Sequence, residues 1–275
     1  MGRIFLEGRG LSKSYGGIRA VHCFDLALSE GETLALIGPN GAGKTTLFNL
    51  LSGEERADSG SIRLDGRDIT RAAPEARARL GLTRTFQSGR SFARLSVEEN
   101  LLVGAHVGRI AQRSGALGGI VELAQALAPL GPFRREEEGL RLRASALAAL
   151  FGDRLAPRAA DPAYSLSYAN RRRLEIARAL ASRPRILLLD EPTAGMNPSE
   201  TDEMIGFLKG LKARGLAMIV IEHKLPLVMR ISDRVVAMDE GEAIAEGNPE
   251  TVARDPRVIE AYLGPSRPFF AGGGP

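Results

Sequence analysis

Apolar residues recur at two different spacings along the chain, and the change between them marks out its segments. Near the N-terminus, Ile4-Phe5-Leu6 and Phe24-Asp25-Leu26-Ala27-Leu28 follow period two and predict strands. The run from Thr33 to Ile37 predicts a strand buried on both faces. A glycine-rich turn follows at once, and TLFNLLSG predicts a helix that stops at Gly53. GSIRLDGRDI alternates again around Asp65-Gly66, the pattern of a hairpin. The layout is mixed α/β.

The middle of the chain changes character. From about Val97 to Leu155, Ala, Leu, Arg and Glu dominate, and the spacing predicts helix interrupted by Gly115, Gly118, Gly119, Pro129, Gly131 and Pro132. A helical subdomain inserted into the α/β core is expected there, with RREEEGLRLR as a solvated helix face. After Asp161 the first pattern returns. It predicts a helix from about Asn170 to Ser182, the strand RILLLD, a helix from Ser199 to Arg214 and the strand AMIVIEH. A short helix from Leu225 to Ile231, strands at Arg234 to Met238 and Ala243 to Ala245, and a helix ending near Leu263 complete it. The expected division is a single domain over 1–263, with its core at about 1–88 and 161–263 and its helical subdomain at about 89–160. Residues 264–275, which include Phe269-Phe270, are expected to be disordered.

Composition narrows the possibilities. Lys plus Arg is 37 and Asp plus Glu is 33, a net charge of +4 that is weak support for a nucleic-acid partner, and none is expected. Cys23 is the one cysteine, which rules out an intrachain disulfide and a multi-cysteine zinc site. No apolar run approaches the roughly 20 residues of a membrane span. MGRIFLEGRG lacks the apolar centre of a signal peptide.

The glycine turn carries the first chemistry. Gly38, Pro39, Asn40, Gly41, Ala42, Gly43, Lys44 and Thr45 complete a G-x-x-x-x-G-K-[ST] phosphate loop, with Thr46 directly after. Its glycines let backbone N–H groups wrap a phosphate, Lys44 supplies a positive charge and Thr45 a hydroxyl for Mg²⁺. ATP or GTP binding follows. The strand Ile186 to Leu189 ends in Asp190 and Glu191. One carboxylate beside the loop's Mg²⁺ and a second able to polarise water are what hydrolysis requires.

In their order, these motifs resemble the ATP-binding-cassette (ABC) family over nearly the whole chain. Thr85-Phe86-Gln87 looks like the family's glutamine loop, Leu166-Ser167-Tyr168-Ala169-Asn170 stands at its signature, and Ala194-Gly195-Met196-Asn197 at its D-loop. His223 matches the switch histidine and Tyr15 the aromatic that stacks on adenine. RTFQ, EIARAL, AGMNP, IEHKLPLVMRISDRV and RVIEAYLG are similar to the ATPase subunits of branched-chain amino acid importers. The resemblance implies a P-loop NTPase (RecA-like) core with an antiparallel β subdomain and a helical insert. It implies ATP and Mg²⁺ as cofactors, with Thr45, Gln87 and Asp190 at the metal and Glu191, His223 and Gln87 in catalysis. It also implies a second cassette packed head to tail, whose ATP is closed over by Ser167 and Ala169 of this chain. Two permease subunits, and indirectly a solute-binding protein, would place the chain at the cytoplasmic face of the membrane.

Ala169 and Asn170 depart from the family's Gly and Gln. An alanine at a glycine position is expected to add a methyl near phosphate and to cost about 1 kcal/mol or more where φ is positive. Weaker closure of the dimer, and slower hydrolysis, are the expected consequences; in a heterodimer one composite site would be the weaker. Other readings stay open: an ATPase for urea, amides or lipopolysaccharide export, a weakly hydrolysing ATP-sensing subunit, or a soluble cassette acting on DNA or ribosomes.

Overall fold

The computed structural model describes residues 3–85, 92–113 and 131–263, with side chains from 107 to 113 and 131 to 136 set aside. The chain opens with two long antiparallel strands, β1 (Ile4–Tyr15) and β2 (Ile18–Ser29). Both exceed the short runs expected from alternation, because Arg9, Gly10 and Lys13 break the apolar period while the backbone ladder continues past them with register shifts. Strands β4 (Ser59–Leu64) and β5 (Arg67–Asp68) extend this sheet in the order β2-β1-β4-β5. They form the predicted hairpin, with φ of 53° at Asp65 and 77° at Gly66.

The second sheet holds the centre of the molecule. Its order is β10-β9-β3-β8-β7-β6, from β3 (Thr33–Ile37), β6 (Leu82–Arg84), β7 (Ile186–Asp190), β8 (Ala217–Ile221), β9 (Arg234–Asp239) and β10 (Glu242–Gly247). All neighbours are parallel except β10, which runs antiparallel to β9. Every residue of β3, β7 and β8 is buried, which explains their unbroken apolar sequence. Because β3, β8 and β7 are adjacent and parallel, the segments leaving their C-terminal ends emerge side by side. That edge is where open α/β sheets bind ligands.

Helices cover both faces. Helix α1 (Lys44–Ser52) follows β3 and packs Leu47, Phe48, Leu50 and Leu51 between the two sheets. Helix α2 (Pro74–Arg79) leads into β6. Beyond it come α3 (Val97–Arg113), α4 (Gly131–Leu150), three single-turn 3₁₀ segments and α5 (Tyr168–Ala181). Gly131 and Pro132, expected to interrupt helix, instead open α4, where a proline's missing N–H costs nothing. Helix α5 begins two residues before the expected start because Ser167 caps it, its Oγ accepting the Asn170 N–H at 3.2 Å. Helix α6 (Pro198–Ala213) opens with a reciprocal capping box between Asn197 and Glu200. Short helices α7 (Leu225–Ile231), α8 (Pro249–Ala253) and α9 (Pro256–Leu263) complete the described elements. Among the described residues, no helix is long and apolar enough to cross a membrane. The expected tail, 264–275, and the glycines at 115, 118 and 119 lie outside the described residues.

Candidate nucleotide site

The loop from Gly38 to Gly43 leaves the end of β3 in a conformation that only glycine permits at its two ends. Gly38 has φ 148°, and a Cβ there would stand 2.0 Å from the Met238 carbonyl oxygen. Gly43, the N-cap of α1, has φ 100°, and a Cβ would meet the Ala20 carbonyl oxygen at 2.0 Å. The loop therefore sits directly on β2 and β9, with its N–H groups and the start of α1 presented outward. Ala42 is buried, and its carbonyl accepts the Gly241 N–H at 3.0 Å.

Lys44 lies inside this curve. Its buried ammonium donates to the carbonyls of Gly38 and Pro39, each at 2.7 Å. Burial lowers its pKa, while Glu191 and Asp190 pull the other way. A cation held by two neutral carbonyls is available to an anion entering the loop, which offers a stronger partner.

The carboxylates come from the end of β7. Asp190 is buried beside Arg84, the last residue of β6, whose guanidinium approaches it at 3.2 Å. Burial raises the Asp190 pKa against the pull of Arg84, and the neighbouring Glu191 adds to the rise. Arg84 also donates to Asn49 Oδ1 at 2.5 Å and stacks its guanidinium over Phe48, so it joins α1, β6 and β7. Glu191 has φ 49°, an uncommon conformation for a non-glycine residue. Its Oε1 lies 2.9 Å from Nε2 of His223, which follows β8. Glu222, also beyond β8, is buried and accepts both the N–H and the hydroxyl of Thr193.

These groups converge on one pocket of about 230 Å³. It is lined by Asn40, Gly41, Gly43, Lys44, Thr45, Thr46, Asp190, Glu191 and His223, with Ala20 and Ile221. That is smaller than the roughly 300–1,000 Å³ of an enclosing ligand pocket, as suits the phosphate end of a nucleotide. Among the described residues, no three His, Cys, Asp or Glu side chains gather to hold a metal by themselves. Thr45 and Asp190 offer a hydroxyl and a carboxylate, and the remaining oxygens would come from phosphate and water. This donor set fits Mg²⁺, which retains water and is commonly bound by one or two carboxylates plus substrate phosphates.

Tyr15 is exposed at the tip of β1, its phenol bonded to Glu55 and beside Thr46; burial, then Glu55, raises its pKa. Ser167 and Ala169 are not among the residues lining this pocket. Gln87 lies outside the described residues. One expectation is corrected: Ala169 does not have positive φ but sits in the first turn of α5. Its methyl is buried in the cluster containing Leu166 and Met196, and is not presented at the surface. Arg84 stands in RTFQ and Glu222 in IEHKLPLVMRISDRV, but neither pattern shows what these side chains meet.

The chain matches the family model described as ABC transporter over residues 21–194, which contains the phosphate loop, Asp190 and Glu191. It belongs to the ABC transporter family. As an ATP-binding cassette it is the ATPase component of such a transporter. A second model, described as branched-chain amino acid ATP-binding cassette transporter, matches residues 244–264. The chain is 41% identical over 266 residues to the high-affinity branched-chain amino acid transport ATP-binding protein BraF of Pseudomonas aeruginosa, covering 96% of this chain and 99% of that protein. It is 38% identical to the LivG protein of Escherichia coli K12, with the same coverage. A crystal structure of a nucleotide-free ATP-binding cassette from an ABC transporter superposes with a TM-score of 0.80 at 29% identity, over 96% of this chain and all of that one.

Proposed function

We propose that this cassette hydrolyses ATP to drive uptake of branched-chain or related amino acids through separate permease subunits. The observation that carries the hydrolytic reading is the convergence of Lys44, Asp190, Glu191 and His223 on one pocket at the ends of β3, β7 and β8. Support for the solute class comes from the relatives BraF and LivG, whose names specify it.

In this reading the loop N–H groups and Lys44 bind the β- and γ-phosphates. Thr45 and Asp190 would hold Mg²⁺, and the family resemblance assigns Gln87 to the same ion. Bound Mg²⁺ supplies charge neutralisation on the phosphate oxygens. Glu191 accepts a proton from the attacking water, while His223 keeps that carboxylate in place and faces the γ-phosphate side. Tyr15 stacks on the adenine. Ser167 lies outside the pocket. The family resemblance assigns it to a second cassette packed head to tail, where the Ser167 hydroxyl and the start of α5 would meet the γ-phosphate. Closure then requires the triphosphate, and hydrolysis releases it. Helices α3 and α4 would belong to a helical subdomain, and movement there would be passed to two permeases, so that the chain works at the cytoplasmic face of the membrane.

The test is uptake of labelled leucine by cells whose native copy is replaced by Glu191→Gln. Uptake at the level of a deletion supports the assignment. Undiminished leucine uptake in both the variant and the deletion moves it to another solute.

A further inference from the structure

The C-terminal helix reaches the phosphate loop. Val258 of α9 is buried in a cluster with Ala35 and Ile37 of β3, together with Val235 and Ala237 of β9. One turn further on, on the same face, stands Tyr262. Its phenolic oxygen accepts the N–H of Gly38 at 2.8 Å. Gly38 is the residue at which β3 becomes the loop, and no side chain fits there. The far end of the loop is braced by the turn between β9 and β10, where the Gly241 N–H donates to the Ala42 carbonyl. Tyr262 is 38% exposed overall, yet burial raises the pKa of its phenol, which therefore stays protonated at neutral pH.

We propose that Tyr262 is a positioning residue of the nucleotide site, fixing the Gly38 hinge in the conformation that receives phosphate. This rests on the reading of the pocket as an ATP site. The Gly38 N–H lies before the stretch that wraps an anion, so it needs a partner within the protein. Tyr262 is that partner, and it is carried by an element that is otherwise remote from the chemistry. Without the phenolic oxygen the hinge samples other conformations, and nucleotide binding must first restore the competent one. The apparent affinity then falls by the fraction that is competent. By reciprocity, bound nucleotide holds α9 more firmly on the sheet.

The experiment compares the full chain with Tyr262→Phe, which keeps the ring and removes one oxygen, and with Leu263→Ala as a control on the exposed side of α9. Binding of ADP with Mg²⁺ is measured by calorimetry, the melting temperature without nucleotide is recorded, and amide exchange is followed at Gly38 and over 256–263. Tyr262→Phe is expected to weaken ADP binding about three- to ten-fold. The melting temperature should stay close to native, Gly38 should exchange faster, and ADP should no longer protect 256–263. Leu263→Ala should match the native chain. Native ADP affinity in Tyr262→Phe overturns the proposal. So does a fall in melting temperature with no loss of affinity, which would make the bond structural only. Failure of the native chain to bind ADP would instead overturn the nucleotide reading beneath it.

Discussion

Nε2 of His223 and Oε1 of Glu191 lie 2.9 Å apart. The pair exists because β7 and β8 are parallel neighbours in which Asp190 faces Ile221, so the next residues leave the sheet together. The Glu191 N–H is fixed by the Ile221 carbonyl at 3.0 Å, and its positive φ turns the side chain toward the histidine. In the proposed mechanism the imidazole orients the carboxylate that takes the water proton. His223→Ala should lower phosphate release by about 100-fold while leaving ATP binding nearly unchanged. Steady-state hydrolysis and equilibrium binding, measured side by side, check this.

Lys44 already has two carbonyl partners, and the proposed site exchanges them for phosphate. A hydrogen bond to a charged group contributes about 1.5–3 kcal/mol, so Lys44→Ala should weaken ATP binding roughly 10- to 150-fold. Calorimetric titration with ATP and Mg²⁺ reads it directly.

Arg84 forms an ion pair with buried Asp190. Arg84→Met should destabilise the chain at pH 8 by about 3 kcal/mol, since it leaves a carboxylate buried without that partner. The sign of the pH dependence follows. Burial already raises the Asp190 pKa, and loss of Arg84 raises it further. The folded state then holds a proton that the unfolded state has released, so stability falls as pH rises through that window. Denaturant midpoints should therefore show the variant closer to native at pH 5 than at pH 8.

Ala169 occupies helical backbone with its methyl inside the protein, so the strain expected of an alanine in place of glycine is absent. Asn170 is likewise buried, its Oδ1 accepting from Arg173 at 3.0 Å. The double variant Ala169→Gly, Asn170→Gln should hydrolyse ATP at the native rate. Glycine in the first turn should cost up to about 1 kcal/mol of stability. Parallel melting and phosphate-release assays test both.

What the sequence made legible is what depends on local order. The phosphate loop is contiguous and its chemistry requires fixed spacing, and the strand ending in Asp190-Glu191 announces itself by an unbroken apolar run. The boundaries of α5 and α6 moved by one or two residues because Ser167 and Asn197 act as caps, which the apolar period does not register. Arg84 and Tyr262 were not legible. Arg84 meets Asp190 across 106 positions and Tyr262 meets Gly38 across 224, so only the folded sheet brings either pair together. The strain expected at Ala169 failed for a related reason: a glycine in a family pattern does not by itself reveal the φ that this chain adopts there.

The most direct measurement is phosphate release by Glu191→Gln beside its ATP affinity. If Glu191 takes the proton from the attacking water in the pocket formed with Lys44 and Asp190, release should fall by more than about 100-fold while ATP binding stays within about two-fold of native. Phosphate release at the native rate in Glu191→Gln would contradict it.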